Sequence, residues 1–305
     1  MISILIPTYN VDVRMLVHDL LTQCRQLNVT FEIIIEDDAS PSDYLRNVNG
    51  SLAADNDVRY IQNETNVGRA RIRNHMAAEA KYPVLLFIDC DAGMKRANFI
   101  SQYVQYIHSQ SSNVRPWVVL GGVGYRDMMM EPEYKLRWKY GVAREQVTAA
   151  KRNLNPYKSF TPFNLLITKS TFDICSFDES LNTYGYEDTL FGETLQEYRI
   201  PVNHIDNELY HDGIDENEVY LSKVEGAVNN LAKLVKSGKV SAEMNRNFRL
   251  LVVYDKCRRM NVEPIVRNVL RINRSIIKMM AVRMSSLKAL DLYKLLCLME
   301  ALHRS

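Results

Sequence analysis

Hydrophobic and polar positions fall into alternating blocks over the first two thirds of the chain. "ISILIP" is short and β-branched and predicts a buried strand stopped by Pro7. "VRMLVHDLLTQC" spaces Leu16, Leu20 and Leu21 as a helix does. "FEIIIEDD" predicts a second strand ending in acids. Ser42 can cap the helix after it, with Leu45 and Val48 on the inner face. "VRYIQN" is a third strand, "GRARIRNHMAAEA" a helix, and "PVLLFIDCD" a fourth strand. A helix near Ala97 to His108 precedes the strand "WVVLGG". Residues 122 to 160 are less regular. "FNLLITKSTF" returns to strand then helix, and "YGYEDTLFGETLQEYRI" is a helix with acids at its start. "PVNHID" and "NELYHDG" read as short strands, and beyond Asp215 the pattern is helical.

Such alternation predicts an α/β fold: an open, doubly wound, mostly parallel sheet with a C-terminal helical extension. The expected organisation is a sheet domain over 1–214, whose strand ends would hold the ligand, and a basic helical extension over 215–305. In sheets of this kind ligands bind beyond the carboxyl ends of the strands. Four strand ends here carry polar or special residues: "PTYN", "EDDAS", "QNETN" and "DCDAG".

Charge sharpens the division. Residues 215–305 hold 17 Lys or Arg against 9 Asp or Glu, a net +8, which leaves −6 on the rest of a chain of net +2. An acidic body with a basic tail implies two tasks. The opening "MISILIPTYN" lacks a basic leader and a long apolar core, and no run nears the roughly 18 apolar residues of a membrane span. Five scattered cysteines show no metal spacing. The expectation is free thiols in a reducing cytoplasm.

At the end of "LLFIDCD", Asp89 and Asp91 are one residue apart. Two carboxylates held close require a cation or a proton, and Mg²⁺ or Mn²⁺ prefers oxygen ligands; the plainer reading is two solvated loop acids. Asp37 or Asp38 is placed to bond a ribose hydroxyl or a base N–H, or to form a turn and helix cap. Gly68 lets backbone approach a ligand where strand passes into helix. Of Arg69, Arg71 and Arg73, at most two can face the strand ends. Glu187 and Asp188 lie in a first helical turn, where the dipole favours acids whatever their task; the functional reading is a general base. His211 follows a strand and is a candidate third metal ligand.

In this order and spacing, "ISILIPTYN", "EDDAS", "NVGRARIRN", "FIDCDAG" and "GYEDTLF" resemble the inverting family 2 glycosyltransferases of the GT-A fold, the kind that serve bacterial polysaccharide synthesis. The likeness covers residues 1 to about 215. It implies a nucleoside-diphosphate sugar, with a UDP-sugar favoured, held with Mn²⁺ or Mg²⁺. Pro7, Thr8 and Tyr9 match the segment lining the nucleobase pocket, and Asp12 stands where many relatives carry glutamate. Asp38 matches the acid of the nucleobase or ribose site. Arg73 and Asn74 match the arginine and asparagine that close the pocket, and Asn66 and Gly68 join the candidates for nucleotide binding. Asp89, Cys90 and Asp91 form the "DxD" segment, Asp89 near ribose and metal and Asp91 on the metal. Asp188 matches the catalytic base, with Glu187 beside it, and His211 a metal-coordinating histidine of some branches. Ala39 replaces a usual glycine and Ala92 a frequent third acid. The "QxxRW" signature of processive synthases is missing, since "QEYRI" lacks the tryptophan. The resemblance therefore implies transfer of one hexosyl or N-acetylhexosaminyl unit per encounter, to a saccharide or lipid-linked acceptor.

Two rival functions differ in class. A sugar nucleotidyltransferase should open with a glycine-rich phosphate loop, which "PTYN" is not. A non-catalytic sugar-nucleotide-binding protein need not keep both Asp91 and Asp188. Nucleic acid is not an expected partner, because the basic tail has few aromatics for stacking. In the tail, Arg267, Arg271, Arg274 and Lys278 follow a 4-3-4 spacing opposite Val266, Leu270, Ile277, Met280 and Met284. Residues 262–305 then offer a basic amphipathic face either to an anionic membrane, placing the protein on the cytoplasmic surface, or to solvent from a helix packed on the catalytic domain.

Overall fold

The computed structural model describes residues 1–110, 115–128, 130–180, 185–240 and 244–304. Tyr184, the first residue of "YGYEDTL", lies outside them. Ten strands are present among the described residues: β1 Ile2–Thr8, β2 Phe31–Asp37, β3 Val58–Gln62, β4 Val84–Ile88, β5 Ala92–Gly93, β6 Val118–Leu120, β7 Val123–Gly124, β8 Asn164–Thr168, β9 Val202–His204 and β10 Leu209–His211. Seven form one sheet in the order β3-β2-β1-β4-β8-β6-β9. Neighbours β1 to β4 are parallel, while β8 runs antiparallel to both β4 and β6. The sheet is the predicted α/β arrangement, mostly parallel.

The strands read as continuous apolar runs because both faces are covered, as parallel sheets require. Ile4, Leu5, Ile33, Ile34, Ile35, Leu85, Leu86 and Phe87 are wholly buried. Strand β1 does not stop at Pro7 but runs on to Thr8. Its ladder with β4 covers only Ser3 to Leu5, while the pairing with β2 continues to Thr8↔Asp37. Successive residues point alternately to the two neighbours, so Pro7 faces the side where pairing has ended and forfeits no ladder bond. Ser42 does cap the helix Asp43–Gly50, accepting from the Leu45 amide at 3.3 Å.

The chain forms two compact units. The first comprises Met1–Arg126, Glu145–Asn182 and Glu187–Gly213; the second comprises Asp127–Arg144, Thr183–Tyr186 and Ile214–Ser305. Part of the irregular stretch 122–160, the helix Lys135–Arg144, thus belongs with the helical tail. Arg144 joins Asp291 at 2.7 Å through paired hydrogen bonds inside that second unit. The tail is helical throughout its ordered elements: Asn217–Lys236, Arg249–Arg259, Glu263–Ile272, Arg274–Val282 and Leu287–His303. No described helix is long and apolar enough to cross a membrane.

Candidate active site

A second, three-stranded sheet in the order β5-β10-β7 was not legible in the sequence, because two of its strands are two residues long. Its register sets His211 opposite Ala92, directly after Asp91. The His211 Nε2 lies 3.8 Å from Asp91 Oδ2. The imidazole is stacked between the rings of Phe163 and Tyr125, at centroid distances of 5.2 and 5.8 Å. Two aromatic faces fix its plane and leave the edge turned to the carboxylate. Gly213 permits this approach, since a Cβ there would fall 2.3 Å from Asp91 Oδ2.

Asp89 behaves differently from Asp91. Arg73, 2% exposed, donates to Asp89 Oδ1 at 2.6 Å, and Arg69 reaches Oδ2 at 3.4 Å. Burial alone would raise the Asp89 pKa, but the two guanidinium groups outweigh it and hold the carboxyl below its ordinary value. For Asp91 burial dominates and raises the pKa, against the opposing pull of His211. One member of the pair is thus bound by two guanidinium groups and the other faces an imidazole.

The acids at the helix start are sorted in the same way. Glu187 is buried, with Oε1 3.1 Å from Arg69 Nε. Asp188 accepts from the Thr189 amide at 2.7 Å, and burial followed by repulsion from Glu187 pushes its pKa up to about 6. Arg69 was not singled out from the sequence over its helical neighbours. The structure makes it the bridge between the end of β4 and the helix Glu187–Glu197. Both reach the same place because Gly68, at φ 86°, turns the chain into the helix Arg69–Glu79 with Arg69 and Arg73 one turn apart on one face. Arg71 points elsewhere, to Glu179.

Asp38 is buried, and both its carboxylate oxygens accept backbone N–H groups, from Val67 at 2.6 Å and Gly68 at 3.0 Å. Asn66 donates to the Asp38 carbonyl at 3.1 Å. Asp38 and Asn66 therefore tie the "EDDAS" turn to the loop that starts the arginine helix. Asp37 fastens the same turn by accepting from the Ser40 amide at 2.7 Å. Ala39 adopts φ 59° there, a left-handed conformation that strains a residue with a Cβ. Ala39→Gly is expected to raise stability by roughly 0.5–1 kcal/mol, or about 1–3 °C in Tm by calorimetry.

The remaining residues expected at the nucleotide pocket take varied positions. Thr8 is buried and its hydroxyl donates to the Ile6 carbonyl at 3.1 Å, while Tyr9 is half exposed just beyond the end of β1. Pro7 is partly buried in β1. Asn74 is occupied in holding the Phe177–Glu179 loop. Asp12, Cys90 and Asp91 line a cavity of about 510 Å³, together with Arg126, Asp212 and Gly213. Asp12 is paired with Arg14 at 2.6 Å, and that hydrogen bond lowers its pKa. The Cys90 thiol is pushed up to about 12 by burial and the adjacent carboxylates, so it stays protonated at neutral pH. Arg126 and Asp212 were not anticipated. They form a two-bond ion pair at 2.7 Å with the guanidinium over the Tyr210 ring. Arg126 carries no local motif, and the only hint of Asp212 was its place beside His211.

Among the described residues no group of three or more His, Cys, Asp and Glu is arranged to hold a metal ion. Asp91 and His211 nonetheless suit a divalent cation. Donors bound to one ion at about 2.1 Å lie roughly 3–4 Å apart, and a carboxylate plus an imidazole leaves positions for substrate oxygens.

The chain resembles known proteins in the same region. Residues 3–170 match the model of Glycosyl transferase family 2. No curated protein matches it. Among solved structures, the mannosyltransferase PcManGT of Pyrobaculum calidifontis, in complex with GDP-Man and Mn²⁺, is similar with a TM-score of 0.56 and 13% identity, over 98% of this chain and 85% of that one. GalNAc-T7 with UDP, GalNAc and Mn²⁺ gives a TM-score of 0.50 and 19% identity, over 69% of this chain and 43% of that one. S. aureus TarS 1-349 in complex with UDP gives 0.48 and 17%, over 96% and 89%. A strand order that sets two aspartates beside a histidine, together with a family match over more than half its length, identifies the chain as a member of glycosyl transferase family 2.

Proposed function

We propose that the protein is an inverting glycosyltransferase that moves one sugar from a nucleoside-diphosphate sugar to a hydroxyl of a saccharide or lipid-linked acceptor. The observation carrying this reading is the position of Arg69. By touching both Asp89 and Glu187 it draws the "DxD" strand end and the helix start bearing Asp188 to one centre. A binding protein has no need of a carboxyl poised at a pKa of about 6 in that place; a catalyst accepting a proton near neutral pH does.

In this mechanism Asp188 accepts the proton of the acceptor hydroxyl as that oxygen attacks the anomeric carbon from the face opposite the leaving group. The new C–O bond forms as the bond from the anomeric carbon to the diphosphate oxygen breaks, so configuration inverts. Glu187, already paired with Arg69, is not the base. Asp91 and His211 would hold the Mn²⁺ or Mg²⁺ ion, which when bound supplies positive charge to the departing diphosphate. Asp89 acts through Arg73 and Arg69, fixing their direction, rather than as a ligand. UDP-sugars of the hexose or N-acetylhexosamine type are the donors favoured.

A panel of sugar nucleotides incubated with Mn²⁺ or Mg²⁺ tests this, read by release of nucleoside diphosphate. One or two donors should be hydrolysed slowly without acceptor, and only with the metal present. Failure of every donor, with and without acceptor saccharides, would overturn the enzymatic reading in favour of a binding protein. Release of inorganic pyrophosphate would instead indicate a nucleotidyltransferase.

A further inference from the structure

The basic stripe expected from the tail sequence does not stand free in the fold. Arg274 binds Glu300 at 2.8 Å, Lys278 lies 3.2 Å from Glu218, and Arg267 lies 3.6 Å from Glu263. Leu270 and Ile277, two members of the apolar face opposite that stripe, are buried. That part of the pattern is ordinary helix packing. The surface left outside is a different one. Ile265, Val269, Ile272, Ile276 and Met279 are all exposed, Ile272 to 84%. Their spacing sets Ile265, Val269 and Ile272 on one side of the helix Glu263–Ile272, and Ile276 and Met279 on one side of the next helix, Arg274–Val282. Met280 and Met284 extend the exposed apolar surface, and Arg271 and Arg283 are exposed near the ends of the same two helices.

We infer that this face of the helical unit docks on an anionic lipid surface. Large β-branched and methionine side chains directed to water from two successive helices are a costly arrangement for a free surface. The same spacing also suits a helix–helix seam between two copies. Charge decides between them: the region 215–305 carries +8, so two such faces repel each other, whereas an anionic bilayer attracts each of them. Arg271 and Arg283 can lay their methylene stems beside the apolar side chains and hold their guanidinium groups at lipid phosphates. The apolar side chains would enter the interface without spanning it. Such a surface would bring the sugar-transfer site, if that reading holds, to acceptors carried on lipid. The docking itself does not depend on that chemistry.

The test is sedimentation of the full-length protein with vesicles of phosphatidylglycerol and phosphatidylcholine, against vesicles of phosphatidylcholine alone. The expected result is binding to the anionic vesicles that weakens steeply with salt. Ile272→Glu with Ile276→Glu should lower it at least about tenfold. Arg271→Glu with Arg283→Glu should lower it by about fivefold per cation at low salt and flatten the salt dependence. All four side chains are exposed, so circular dichroism and thermal melting should be unchanged in both variants. Absence of binding by the wild type overturns the inference, as does equal binding to neutral vesicles or undiminished binding of the isoleucine variant. A wild-type dimer that the isoleucine variant converts to monomer, without lipid binding, would assign the face to a second copy. Nucleotide-sugar hydrolysis is read separately, so loss of docking and loss of activity are distinguishable.

Discussion

Asp188→Asn is expected to lower turnover by about 10²-fold or more while leaving nucleoside-diphosphate affinity within a few-fold of wild type. Asparagine keeps the shape and can still accept the Thr189 amide, but it cannot take a proton from the acceptor. The pH dependence follows from the direction of the shift. Burial and Glu187 lift the Asp188 pKa to about 6, so the base is ionised at pH 7 and protonated below 6. In the free enzyme kcat/KM should therefore fall roughly tenfold per pH unit below that value, and the limb should vanish in the variant. Stability should move the opposite way. A carboxyl whose pKa is higher folded than unfolded destabilises the fold once pH exceeds its unfolded value, and the penalty is complete above about 6. The asparagine variant should melt higher than wild type at pH 7.5 and no higher near pH 3.5. Near-native turnover in the variant would remove Asp188 from its assigned role.

Asp91→Ala is expected to reduce nucleoside-diphosphate affinity by about tenfold or more in the presence of Mn²⁺, with little change when the metal is chelated. The sign rests on the division of labour between the two aspartates. Asp89 is compensated by Arg73 and Arg69, whereas Asp91 is partly exposed beside a single histidine, where its carboxylate can meet a cation. Removing Asp91 therefore removes the cation's hold and leaves the arginine cluster intact. Calorimetric titration of the diphosphate with and without Mn²⁺ measures both arms. Equal affinity and equal metal dependence in wild type and variant would show that the ion, if used, is held elsewhere. His211→Ala should share the direction of the effect at smaller size, because it removes one neutral donor rather than a charge.

Much of this arrangement was legible in residue order. Apolar runs of five to seven residues between helical patterns identified β1 to β4 and β8, and acids stand at the ends of β2 and β4. Local sequence could not tell which acid does what. Asp38 looked like a ligand for ribose, yet in this structure its oxygens accept the amides of Val67 and Gly68. The resemblance put Asp89 near ribose and metal and Asp91 on the metal; in this structure Asp89 faces two guanidinium groups and Asp91 an imidazole. In the tail, helical periodicity marked an apolar face but left open whether it meets lipid or the protein itself, and Leu270 and Ile277 of that face are buried. A single helix has no internal reference for direction; the helices around it supply one.

The sequence by itself determined the element order, the sheet class, the helical tail and the set of acids from which a site could be drawn. Those follow from period, length and end chemistry, which act within a few residues. Only the tertiary structure decided that β8 runs antiparallel beside β4, that a small second sheet holds His211 against Asp91, and that Arg69 joins Asp89 to Glu187. Each of these is a meeting between segments distant in the chain. Charge state in such a place depends on what has been brought within a few ångströms and on how much water has been excluded, and neither quantity exists until the chain has folded.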